Sequence, residues 1–147
     1  MKGGAAEIRA AVVAEAMTWV GTPYHHHARV KGAGVDCAQI LIAVFCDALK
    51  IVAPVDPGFY SRQWHLHRSE ELYRRWLQEA GARRTSTIQA GDVALFKYGR
   101  TFSHGAICVN AEGGEFVHAY IRLGVVRTRT SEAPLEGREV EHWSVIE

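Results

Sequence analysis

Apolar positions in the first half of the chain recur at helical spacing, and those in the second half alternate. From Glu7 to Val20, the residues Ile8, Val12, Ala16 and Trp19 fall on one face of a helix, which Gly21-Thr22-Pro23 ends. Tyr24 to Gly34 reads as a loop carrying three consecutive histidines and two glycines. Asp36 then stands at an N-cap position ahead of Cys37-Ala38-Gln39-Ile40-Leu41, and the helix runs on to Lys50. Ile40, Leu41, Ala43, Val44, Phe45, Ala48 and Leu49 make it apolar nearly all round, which predicts a buried central helix. Pro54 and Pro57 stop it, and Gly58 to Arg68 reads as irregular. Ser69 caps a third helix to Ala80, with Leu72, Trp76 and Leu77 inward and Gly81 as the stop.

From Gly91 the period changes to two. Val93 to Lys97, His104 to Asn110, Phe116 to Ile121, Val125 to Thr130 and Val140 to Ile146 read as strands, parted by Gly and Pro. Helices first and strands second, without βαβ alternation, predict an α+β fold: N-terminal helices packed on an antiparallel sheet of about five strands. Arg83-Arg84 and the alternating Arg127 and Arg129 read as solvated sheet edges. The 147 residues suit a single domain over 1–147, and 48% apolar residues are enough to build its core.

Charge and composition act mainly by exclusion. Seventeen Lys+Arg against sixteen Asp+Glu leave +1, and no basic run exceeds two residues, so the chain has no footprint for nucleic acid or an anionic membrane. Its longest apolar segment, Ile40 to Val55, is broken by Asp47, Lys50 and Pro54 and is too short to span a bilayer. Glu7 and Glu15 interrupt the N-terminal apolar stretch, so no secretory leader is read there. The expected site of synthesis is the cytoplasm; action elsewhere would need a carrier or a release step. Cys37, Cys46 and Cys108 are odd in number and lack C-x-x-C spacing, which argues against a disulfide framework and a zinc knuckle.

Cys37 falls in the first turn of the apolar helix, where unpaired N–H groups favour a thiolate and can stabilise an oxyanion. A thiol nucleophile needs a base, commonly His, and the His needs an orienting partner. If Asn110-Ala111-Glu112-Gly113-Gly114 is a hairpin loop, position 106 faces 118 and position 104 faces 120. His104 and His118 then share a face within side-chain reach. Cys46 reads as core. Cys108 is on the face of His104 by parity and is expected to pack against the helix.

The blocks Gly21-Thr22-Pro23-Tyr24, Gly34-Val35-Asp36-Cys37, Gly91-Asp92-Val93-Ala94-Leu95-Phe96, Ser103-His104-Gly105-Ala106-Ile107 and Phe116-Val117-His118-Ala119, in that order, resemble the NlpC-type (NlpC and p-sixty) papain-like cysteine peptidases. The resemblance covers about residues 8 to 146. It implies a papain-like fold and hydrolysis of bacterial cell-wall stem peptides next to D-glutamate, through a thioester and without cofactor or metal. It also implies Cys37 as nucleophile, His104 as base and His118 as orienting residue. Tyr24 would help fix the nucleophile or the reacting carbonyl, and Asp36 matches the acidic residue before the Cys. The short chain is further similar to the phage-tail and gene-transfer-agent branch, which implies tail-like partners and a place on a virion or at the cell wall. Ala38-Gln39 departs from the Ser-Gly usual after the Cys.

Gln39, His25 in the histidine run, and Trp64 are therefore carried as substrate-side candidates. Other readings stand beside the peptidase. An amidase or acyltransferase acting on a lipid or another small amide would use the same scaffold. A structural tail component would use Trp64-His65-Leu66-His67 as a docking strip. A His/Cys module would hold zinc. Oligomeric state is not readable.

Overall fold

The computed structural model describes residues 3–60 and 71–146. In chain order they form α1 (Ala5–Met17), a ribbon of β1 (Arg29–Val30) and β2 (Gly34–Val35), and α2 (Gln39–Ile42), which widens into π-helical turns over Ala43–Ala48. Helix α3 (Leu72–Glu79) follows, then β3 (Arg83–Arg84), β4 (Val93–Tyr98), β5 (Thr101–Asn110), β6 (Glu115–Tyr120), β7 (Gly124–Arg129) and β8 (Val140–Ser144). The last six strands make one antiparallel sheet in the order β3-β8-β4-β5-β6-β7. All five strands expected from alternation are present, and the sixth is the Arg83–Arg84 pair itself, opposite Ser144 and Trp143. The two arginine-bearing stretches are thus the two edges of the sheet.

Helix α1 buries Arg9, Val12 and Ala16, while Trp19 lies buried just past its end. Arg9 ties the helix to the sheet: its Nη1 donates to Asp92 Oδ1 at 2.8 Å and to the Ala90 carbonyl at 3.1 Å. Asp92 is 1% exposed, so this ion pair is removed from water and each partner depends on the other. Gly91 beside it has φ +93, and an added Cβ would come within 3.2 Å of the Arg9 Cα. Glycine is needed there both for the left-handed backbone and for the close approach.

The central helix starts where capping chemistry predicts, with Ile40 N–H donating to the Asp36 carbonyl at 3.1 Å. It does not continue as one α-helix to Lys50. Only Gln39–Ile42 keeps α spacing; beyond it the hydrogen bonds lengthen by a residue, as in Leu49 N–H to Val44 O at 3.2 Å. The stretch is buried on every side through Cys46, as its composition predicts. The loop after α1 carries more structure than its polar residues suggest: the β1–β2 ribbon, and a parallel bridge from Tyr24 to Val35. Helix α3 buries Leu72, Trp76 and Leu77 and stops at Gly81, φ +85, as expected. The expected Ser69 cap, with Trp64, His65 and His67, lies outside the described residues.

Both faces of the sheet are covered. Val93, Leu95, Ile107, Val109 and Val117 meet the helices. On the opposite face Ala94, Phe96, Ala106, Cys108 and Phe116 form a smaller core with Leu135. This corrects the expectation for Cys108. It does share a face with His104, but that face looks away from the helices. Cys108 packs with Leu135 instead. Alternation identifies which residues share a face, and with both faces buried it cannot say which one meets a helix.

Candidate active site

The β5–β6 hairpin has the register expected from a loop over 110–114, with Ile107 opposite Val117 and Cys108 opposite Phe116. Two strand histidines consequently meet: His104 Nε2 lies 2.8 Å from His118 Nδ1. His118 has no exposed surface, and burial pushes its imidazole down to about 4, so the ring is neutral at physiological pH. Its other nitrogen, Nε2, lies 3.1 Å from the Thr128 hydroxyl on β7. Tyr98 and Tyr120 stand edge-on to His104, with ring centroids 5.3 and 5.4 Å away, and fix its plane.

Cys37 reaches this pair across the end of the sheet. A register slip on β5 puts His104 opposite Phe96 but Phe102 opposite Lys97, leaving Ser103 as an extra residue. Such bulges bend a strand and re-aim neighbouring side chains. The half-buried Cys37 thiol donates to the carbonyl of the buried Ser103 at 3.8 Å. From the other side Tyr73 of α3 donates its hydroxyl to the Cys37 carbonyl at 2.6 Å. An alanine Cβ at position 105 would run into that hydroxyl, so the glycine after His104 is what lets Tyr73 hold the Cys37 backbone.

Asp36 is the hub of this region. Its Oδ1 accepts from the N–H groups of Ala38 (3.0 Å) and Gln39 (2.8 Å), as an N-cap should. Its Oδ2 accepts from the His27 N–H (2.8 Å) and the Tyr60 hydroxyl (2.6 Å). The carboxylate is 1% exposed and donates nothing, so it supports the loop and helix rather than an oxyanion. It also occupies the Ala38 and Gln39 N–H groups, which leaves the Cys37 N–H as the first-turn donor to a reacting carbonyl.

That arrangement reverses the expectation of a thiolate primed by the helix start. The Cys37 thiol is pushed up to about 12, by burial first and the Asp36 carboxylate second. Backbone hydrogen bonds at Gly105 and Cys37 oppose this without prevailing. The resting thiol is protonated at neutral pH. Alkylation of Cys37 in the folded protein is accordingly expected to be slow at pH 7 and to climb through pH 9 toward 12, as the thiolate fraction rises. Peptide mapping after timed iodoacetamide treatment reads this directly; a plateau already reached below pH 7 would contradict it.

One cleft of about 140 Å³ collects these groups, lined among others by Tyr24, His26, Cys37, Tyr98, His104 and Tyr120. All five tyrosines of the chain line it. The structure thus brings Cys37, His104, Tyr24 and Asp36 together, with His118 directly behind His104. It does not bring in the other candidates. Gln39 turns away, giving its Nε2–H to the Tyr60 hydroxyl (3.2 Å) and accepting from Arg29 (2.7 Å). His25 is exposed and sits over Gly34, where a Cβ would meet its ring at 2.6 Å; His26 enters the cleft in its place. Trp64 lies outside the described residues.

The histidine run is engaged by a carbonyl: His26 Nε2 and His27 Nε2 lie 2.9 and 3.0 Å from the Tyr60 oxygen. Among the described residues no group of three or more His, Cys, Asp or Glu could hold a metal ion. Tyr60, Tyr73, Tyr98, Tyr120 and Thr128 are the site residues that sequence reasoning missed. The one local signal was Gly105 after His104, which marks a close approach without naming the residue that makes it.

The architecture is the papain-like fold of NlpC/p60 domains. No family model matches the sequence, and no curated protein does. Fourteen chains of solved structures match. One is the NlpC/p60 domain of the peptidoglycan hydrolase SagA, 22% identical, with a TM-score of 0.59 over 90% of this chain and 96% of that one. At this identity the likeness is one of fold.

Proposed function

We propose that this chain is a thiol hydrolase of amide bonds in bacterial cell-wall stem peptides. The observation that carries the reading is that Cys37, at a helix start, shares one cleft with His104, whose Nε2 is held at 2.8 Å by a buried neutral His118. With Nε2 so engaged, the thiol proton goes to His104 Nδ1 as sulfur attacks the substrate carbonyl. The Cys37 N–H and the Tyr24 hydroxyl are the donors available to the oxyanion. The tetrahedral intermediate collapses to a thioester, and the His104 imidazolium returns its proton to the departing amine. Water, activated by the same nitrogen, then releases the acid and restores the thiol. Because the resting thiol is neutral, proton transfer accompanies attack rather than preceding it. The wall peptide is favoured as substrate by the structural likeness to a domain described as part of a peptidoglycan hydrolase.

Digestion of purified peptidoglycan fragments, read by mass spectrometry for new amino termini, tests the reading. Release by the wild type and none by Cys37→Ala is the expected pair. Equal release by both sinks it.

One observation favours a second reading, a structural part of a phage-tail-like particle that keeps the fold with little turnover. The Cys37 thiol is pushed up by burial and by Asp36, and is hydrogen-bonded to Ser103 rather than ionised. Under that reading the wild type stays inert toward wall fragments even at pH 9 to 10.

A further inference from the structure

Behind His118 lies a group that the proposed mechanism does not yet use. Thr128 sits on β7, where its neighbour Val126 pairs with His118, so the two side chains lie diagonally on one face of the β6–β7 pair. Its hydroxyl is 3.1 Å from His118 Nε2, and Thr128 is 8% exposed against 0% for His118. Water is therefore a poor substitute for either partner.

We propose that Thr128 is a positioning residue for the reaction, fixing the tautomer of His118 and through it the nitrogen on which His104 accepts the proton of Cys37. The inference rests on His104 being the base. Three hydrogen-bonded groups share the protons that decide this. For His104 to take a proton on Nδ1, that nitrogen must hold a lone pair, so the ring's one proton is on Nε2. That N–H donates to His118 Nδ1, which must then be bare. His118 is neutral and has a single ring proton, which has to be on Nε2. The group facing Nε2 must accept it, and that group is the Thr128 hydroxyl.

The opposite arrangement is equally well hydrogen-bonded and chemically idle. There Thr128 donates to a bare His118 Nε2, His118 donates from Nδ1, and His104 carries its proton on the nitrogen that should receive one. A hydroxyl can take either part, and the competent chain needs it as the acceptor for the His118 Nε2 proton, a part that no other described contact of that nitrogen fills. A wrong tautomer at an orienting residue is a known way to lose rate while keeping geometry.

The test uses Thr128→Val, which keeps the β-branched shape, and Thr128→Ser, which keeps the hydroxyl. Histidine ring ¹⁵N–¹H correlation spectra of the intact protein at pH 7 report the tautomers of both rings, with melting temperature checked for each variant. The wild type is expected to show His118 protonated on Nε2 and His104 on Nε2. The Val variant is expected to show mixed tautomers, with kcat lowered about tenfold and KM little changed. The Ser variant is expected to restore both spectrum and rate. A wild-type His118 protonated on Nδ1 overturns the proposal, as does a Val variant with unaltered tautomers and rate. The spectra need no substrate. If the wall digest fails while the tautomers shift as expected, the failure is in the assigned substrate. The rate of Cys37 alkylation at pH 8 then replaces kcat as the readout: a tenfold fall in the Val variant supports the role of Thr128, and an unchanged rate overturns it.

Discussion

A His104→Ala variant is expected to lose roughly 10²–10⁴ of stem-peptide turnover while remaining folded. In the proposed mechanism the residue supplies the proton acceptor for a thiol whose own acidity is poor. With Cys37 pushed up to about 12, little thiolate forms at neutral pH without a base to receive the proton during attack. The loss should therefore be steeper at pH 7 than at pH 10, where hydroxide begins to ionise the thiol directly. Rates of wild type and variant at the two pH values settle the point. A constant ratio across that range would mean that His104 acts before attack, on a preformed thiolate. The fold should survive because the opening left by His104 is bordered by Tyr98 and Tyr120, rings that also line a cleft open to water.

Asp36→Ala is expected to be the most destabilising change at the site, by about 4 kcal/mol. Four donors lose their acceptor at once: two helix N–H groups, the His27 N–H and the Tyr60 hydroxyl. A lost N-cap alone costs about 1 kcal/mol, and each buried donor left unmatched costs about 1–3 kcal/mol before relaxation. Urea unfolding measures the loss. The same variant should make Cys37 more acidic, because one of the two causes of its high value is gone. Stability and thiol acidity thus move in opposite senses. Asp36→Asn separates the two effects: it keeps an acceptor for the cap and drops the charge, so alkylation at pH 9 should quicken with a smaller loss of stability. An Asp36→Ala protein as stable as the wild type would mean that water replaces the carboxylate, and the hub assignment would fall.

Much of this site is legible in the amino-acid sequence. The Asn110–Gly114 loop set the hairpin register by counting, and the register set the meeting of His104 and His118. Asp36 was legible as a cap because capping is local. What counting could not reach was anything set by contacts between distant segments. The extra residue at Ser103 leaves no mark in a strand whose residues are nearly all buried. Tyr60 and Tyr73 come to Asp36 and Cys37 from elsewhere in the chain. The ionisation of Cys37 was misjudged for a related reason. A helix start makes a thiol more acidic only if its N–H groups are unoccupied, and here the adjacent carboxylate takes two of them. Its place near Cys37 suggests that Gln39 faces substrate, yet two residues along a helix is a rotation of about 200°, enough to turn it toward Tyr60.

Cys37 and its proposed base belong to different layers of the molecule. Cys37 rides on the helical layer, and His104, His118 and Thr128 all ride on the sheet, on the face that looks away from those helices. The spacing of Cys37 and His104 is therefore not a property of either layer but of how they are seated together, through the Arg9–Asp92 pair at one place and the Cys37–Ser103 contact at another. On the proposed mechanism, turnover would double as a gauge of assembly: any slippage of one layer on the other is expected to cost rate well before the chain unfolds.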